Sequence, residues 1–234
     1  MLMKLYYERN LQVLLKLKSK LMKNNILFTL FLLITLFCNV GYAQQNSTYD
    51  LNNLLKQNKL VITPRQSVTE LADGTKQGLS CNGIVWLKGT SFKTGTIDVD
   101  LRGKDVFQQS FLGIAFHGID TITYDVIYFR PFNFQSPDTL RRKHTVQYMS
   151  MPDYDWDKLR KEHPLVYENA VTPFPLATAW FHARIVVKAD EIVVYVDHST
   201  RPSLTVKKLN NRQDGLIGLW ADGLTGDFAN LVIK

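Results

Sequence analysis

The chain has 234 residues, 45% hydrophobic and 12% aromatic, enough for one sizeable core. Its formal charge of +7 sits at the N-terminus: residues 1–43 carry six of the 28 basic and one of the 21 acidic residues, leaving 22 against 20. That near-neutral remainder excludes nucleic-acid binding by bulk charge, and its one dense basic cluster, Arg141-Arg142-Lys143, reads as a solvated turn.

Residues 1–43 read as an N-terminal extension plus a secretion signal. Met22-Lys23-Asn24-Asn25 precedes the apolar run Ile26–Phe37, and Gly41 and Ala43 stand at −3 and −1 of a cleavage before Gln44. The run is shorter than the ~20 residues that cross a bilayer, so no membrane span is expected after cleavage. The mature protein is expected in the periplasm or outside the cell. Residues 1–21 are odd for such a signal, so Met22 reads as the better start, with a long charged leader as the alternative. Cleavage removes Cys38 and leaves Cys81 alone. An intrachain disulfide is then ruled out, and Cys81 reads as a small buried residue.

Residues 44–59 form a polar leader with Leu51, Leu54 and Leu55 at helical spacing. From residue 60 to 234 short strands recur about every ten residues, with turn signals between them. The run begins with Val61–Thr63, Ser67–Leu71 before Asp73-Gly74, Leu79–Leu87 before Lys88-Gly89, and Gly95–Arg102. In the last of these Ile97, Val99 and Leu101 alternate with outward Asp98 and Asp100. Phe111–His117 and Thr123–Phe132 follow, joined by a short loop. Tyr124, Val126, Tyr128 and Arg130 share one face of the second strand, and Phe111, Ala115 and His117 share one of the first. His144–Met149 comes next. Residues 152–170 interrupt the pattern with a short helix, Asp155–Glu162, stopped by Pro164. Strands resume at Trp180–Lys188, Glu191–Asp197, Ser203–Leu209, Leu216–Trp220 and Asp227–Ile233. The Asp-Gly pairs at 214–215 and 222–223 read as turn formers. With no βαβ rhythm, this is one all-β domain, an antiparallel two-sheet jelly-roll sandwich with one short helical insertion.

A strand face carrying His117, Tyr128 and Arg130 among apolar neighbours suits a ligand better than solvent or a dry core. Sugar binding needs flat aromatic faces for ring C–H groups and planar polar groups for hydroxyls. His117, Tyr128, Arg130 and Gln147, with Tyr154 and Trp156 from the insertion, supply both and are the expected carbohydrate-binding residues. Hydrolysis would need paired carboxyls. Asp98 and Asp100, at i and i+2 on one strand face, and Asp125 are the candidates for acid and base. On a half-exposed strand the first two are more often plain solvent-facing charges, and the third more often hydrogen-bonds across the sheet. His182 and His198 read as solitary. No cofactor is expected, although loop carboxylates and carbonyls leave room for a structural calcium.

Trp180-Phe-His-Ala-Arg184-Ile-Val-Val, Ile192-Val-Val-Tyr-Val-Asp197, Gly215-Leu-Ile-Gly-Leu-Trp220 and Asp227-Phe-Ala-Asn-Leu-Val-Ile233 together resemble concanavalin A-like lectin/glucanase domains. Within that superfamily the order is similar to laminin-G-like and 3-keto-disaccharide hydrolase domains of exported bacterial proteins. Gly113-Ile-Ala-Phe-His117 with Tyr124-Asp-Val-Ile-Tyr-Phe-Arg130 is similar to another recurring strand pair of the group. The resemblance spans about residues 80–234. It implies a carbohydrate partner with either a binding or a hydrolytic role, and a non-catalytic adhesion module is the alternative. The E-x-D-x-x-E motif of family 16 glycoside hydrolases is not kept: Thr96 and Leu101 stand where its glutamates would flank Asp98.

Overall fold

The computed structural model describes residues 16–23, 46–63, 66–71, 74 and 76–234. The chain divides into two compact units, Met1–Gln44 and Gln45–Lys234. Of the first, residues 16–23 form an exposed helix. The secretion signal, from residue 24 onward and including Cys38, lies outside the described residues, as does Asp73 of the Asp73-Gly74 turn. Among the described residues no helix is long and apolar enough to cross a membrane.

The second unit is built from thirteen strands and three short α-helices in the order β1 (Ser47–Tyr49), α1 (Leu51–Lys56), β2 (Leu60–Val61), β3 (Val68–Glu70), β4 (Gly78–Phe92), β5 (Gly95–Arg102), β6 (Ser110–Gly118), β7 (Tyr124–Phe129), α2 (Thr139–Arg142), β8 (Val146–Met151), α3 (Trp156–Glu162), β9 (Glu168–Asn169), β10 (Phe181–Val187), β11 (Glu191–Val196), β12 (Leu204–Lys207) and β13 (Gly215–Ile233). A 3₁₀ turn, Pro131–Asn133, follows β7, and these counts are of the described residues. Every strand pairing is antiparallel.

The organising element is the long ribbon of β4 and β13. Its first half lies beside β6, which continues into β7, β8 and β9; its second half lies beside β5, which continues into β10, β11 and β12. The sheet thus folds along the ribbon into two layers. The step between them is the register shift from Ala221 to Gly226. The Asp222-Gly223 pair expected as a turn lies here instead within one strand, with Gly223 at φ +75°. Likewise β4 runs through Lys88-Gly89 to Phe92: Gly89 takes φ +74° within a bulge, where the pairing with β13 steps from Trp86 opposite Gly218 to Ser91 opposite Leu216 and then resumes. The polar leader supplies an edge strand, β1, against the end of β13, and α1 buries Leu51 beneath it.

The layers pack through alternate side chains. Ile97, Val99 and Leu101 of β5 and Ile185 of β10 face Leu112, Ile114, Ile127 and Phe129 of the other layer, all fully buried. Each such side chain contributes about 1.5–3 kcal/mol over leaving it exposed. Phe181 of β10 meets Phe129 and Phe134 edge-on, with ring centroids 5.1 and 5.2 Å away. Cys81 is completely buried in this core, and burial pushes its thiol pKa well up, so it is inert.

Candidate functional site

The outer face of the β4–β13–β6–β7–β8 layer carries a second apolar cluster, with Ile84, Ala115, Tyr124, Val126, Tyr128, Met149 and Trp220 among its members. Over it lies a trough of about 890 Å³. Its floor follows from register. Gly113 sits between Trp220 on β13 and Tyr128 on β7, and with no side chain between them those two rings approach to 5.2 Å. A Cβ at Gly113 would stand 2.0 Å from the Ile127 carbonyl oxygen, so only glycine fits. Aromatic contacts continue from Tyr128 to Phe111, from Phe111 to Phe132 and from Phe132 to Phe107, at 6.2, 5.5 and 5.6 Å. Phe107 and Trp156, 53% and 49% exposed, are the trough's open rings. Each carries a guanidinium: Arg141 lies 4.2 Å over Phe107 and Arg160 lies 5.5 Å over Trp156.

Tyr128, Arg130 and Gln147 come together as the alternation predicts. Tyr128 donates its hydroxyl hydrogen to Gln147 Oε1 (2.7 Å), and Arg130 Nη2 donates to both oxygens. Arg130 Nη1 donates to the His144 carbonyl at 2.9 Å, and its plane lies over the Tyr128 ring at 4.7 Å. Burial pushes the Tyr128 phenol up to about 12, so it stays a neutral donor. Arg130 and Tyr128 line the trough but are only 5% and 2% exposed, and Gln147 is fully buried. The trio is a locked support for the floor more than an open fork. Gln147 Nε2 has no partner among the described residues.

Behind the trio is Glu168, which sequence reasoning missed. This 2% exposed carboxylate lies 3.5 Å from Arg130 Nη1, 3.0 Å from Arg160 Nη2 and 2.8 Å from His144 Nδ1. Burial would raise its pKa, but hydrogen bonds from Arg160 and His144 and the charges of Arg160 and Arg130 hold it below the usual carboxylate range. Arg141 was missed too, because the basic run read as a solvated turn. It lies on α2, which starts where Asp138 Oδ1 accepts the Leu140 and Arg141 amides. Arg141 itself lines the trough.

His117 does not join this site. It sits at φ +48°, a left-handed conformation, and is completely buried. Its ring stacks on Phe92 of the core, with Nδ1 3.1 Å from Asp125 Oδ2 and Nε2 2.6 Å from the Lys93 carbonyl. The strict alternation that placed it beside Tyr128 fails at the strand end. Asp125 is equally buried and accepts from the Tyr148 hydroxyl, Asn210 Nδ2 and Arg212 Nη2 at 3.0, 2.6 and 2.8 Å. Despite its burial, His117 and Arg212 keep its pKa low. It is a structural anion of the core, out of reach of the trough.

Asp98 and Asp100 lie on β5 in the opposite layer, and neither borders the trough. Their cross-strand partners are Arg184 and His182. Asp98 Oδ1 accepts from Arg184 Nε (2.7 Å) and Oδ2 from Lys234 Nζ (2.8 Å). His182 bridges the pair, Nδ1 2.8 Å from Asp100 and Nε2 3.1 Å from Asp98, and stacks on His198 at 4.4 Å. Neither histidine is solitary. Tyr154 bridges back to Ser150 through its backbone and packs beside the floor cluster; of the two insertion residues expected at the site, Trp156 is the one that lines the trough. Among the described residues no group of three or more His, Cys, Asp or Glu side chains is placed to hold a metal ion.

No family model matches the sequence, and no curated protein does. Among solved structures, a Bacillus subtilis protein of unknown function with a galectin-like fold superposes with TM-score 0.53 at 9% identity, over 80% of this chain and 94% of that one. The fold is a galectin-like jelly roll. Carbohydrate binding module CBM66 from Bacillus subtilis aligns at TM-score 0.49 and 16% identity, over 72% of this chain and 95% of that one. The expected antiparallel jelly-roll architecture is the one observed. What the jelly roll does is a matter for its trough.

Proposed function

We propose that this chain is an exported carbohydrate-binding jelly roll that takes an oligosaccharide along the trough. The observation that carries the proposal is the pairing of open aromatic rings with planar polar groups. Phe107 and Trp156 offer flat faces for sugar C–H groups, and Arg141, Arg160, Asn133 and Gln108 offer hydrogen-bonding edges beside them. The floor beneath is already packed and hydrogen-bonded, so little has to be ordered on binding. Export rests on the residue pattern of 22–43.

Binding without hydrolysis fits the trough best. Its lining carboxylates are Asp155 and Asp222, and both hold backbone amides: Asp155 Oδ1 accepts from Lys158 (2.8 Å) and Asp222 Oδ1 from Gly223 (2.9 Å). Asp98, Asp100 and Asp125 are elsewhere and engaged. The test is affinity for immobilised oligosaccharides with Trp156→Ala and Phe107→Ala. Each removes an open ring, and each should weaken binding roughly tenfold, the worth of one stacking contact, with the melting temperature held. Unchanged affinity in both would overturn the assignment of the trough.

A further inference from the structure

Resting on the trough as a glycan site, we infer that its glycan carries an anionic group, a carboxylate or a sulfate, and that Arg141 receives it. Arg130, Arg160 and His144 all line the trough and all turn to one buried carboxylate, Glu168. Arg141 stands outside that cluster. Its Nε and Nη2 donate only to the neutral Asn133 Oδ1, at 3.3 and 3.2 Å, and no carboxylate of the described residues pairs with it. The two lining acids, Asp155 and Asp222, are turned to the backbone amides of Lys158 and Gly223.

The guanidinium is therefore a fixed cation on the trough wall with its charge unanswered. Phe107 supports one of its faces and Asn133 holds one edge, so its orientation is set before any ligand arrives. Its Nη1 makes no hydrogen bond to the described residues and Nη2 keeps a second N–H beyond the one given to Asn133, so the two can donate side by side into the trough. A planar, pre-oriented guanidinium beside an aromatic ring suits a carboxylate or sulfate carried on a sugar, because both anions accept two parallel N–H bonds. A neutral hydroxyl would use one donor and leave the charge unmet.

The full-length protein applied to an array of uronate-bearing, sulfated and neutral oligosaccharides tests this. Retention of the uronate or the sulfated set over neutral counterparts is expected, and whichever set is held identifies the anion. In Arg141→Gln, affinity for that set should fall about tenfold or more, with the melting temperature unchanged and with partial recovery in Arg141→Lys. Equal retention of neutral and acidic sugars, or full affinity in Arg141→Gln, would overturn the inference while leaving the trough a glycan site. No retention of any sugar would remove both.

Discussion

Arg130 shows how a residue can sit at a site and still be a poor probe of it. Its guanidinium holds Tyr128, Gln147 and the His144 carbonyl in place and helps neutralise buried Glu168. Arg130→Met would leave that carboxylate to Arg160 and His144 and strip the floor of its clamp. A loss of roughly 3 kcal/mol in unfolding free energy is expected, the scale for breaking a buried ion pair from one side. Chemical denaturation measures it; a change below about 1 kcal/mol would mean that Arg130 is not the clamp. Residues that report binding cleanly are instead the open ones, Phe107, Arg141 and Trp156. Trp156 was legible in the sequence; Phe107 and Arg141 were the hardest to pick out. Arg141 looked like any basic turn, and nothing local to Phe107 says that a loop lays it against Phe132.

At the scale of strands and helices, much was legible where alternation governs. The inward Ile97, Val99 and Leu101, the shared face of Tyr124, Val126, Tyr128 and Arg130, and the helix at Trp156–Glu162 all follow from period. What escaped was set by departures from period. The left-handed His117 reverses its side chain, and glycines at positive φ let β4 and β13 run on where turns were expected. Cross-strand chemistry was also out of sight until β5 and β10 were paired. Their Asp98, Asp100, Arg184 and His182 form one network with a pH signature. Burial opposes ionisation of Asp100, but hydrogen bonds from His182, Lys76 and Asn230 bring its pKa down to about 2. The hydrogen bond to Asp100, against the pull of burial and with help from Asp98, raises that of His182. A lowered carboxylate stabilises the fold above its unfolded value near 3.8 and loses that contribution as pH falls towards 2. A raised histidine stabilises it below about 6.5 and loses it as pH climbs through the folded value. Stability from this network should therefore peak between about pH 4 and 6.5, with about 2 kcal/mol lost on the acid side. In His182→Gln, unfolding curves from pH 5 to 9 should flatten relative to the parent; an identical slope would show that His182 is uncharged in the fold.

For the whole molecule, the two layers divide their outer faces between different tasks. One presents an aromatic trough walled by open rings and guanidinium groups; the other presents the ion network of Asp98, Asp100 and His182, closed on itself by hydrogen bonds. Three of the four tryptophans tell these faces apart. Trp156 and Trp220 line the trough, while Trp180 lies against Lys76 and Arg102 beside β5. The most direct test is a titration of the ¹⁵N-labelled protein with a retained oligosaccharide, followed through the four indole N–H resonances. The Trp156 and Trp220 signals should move with saturation while Trp180 stays in place. Saturable movement of Trp180 with Trp156 and Trp220 unmoved would contradict binding in the trough.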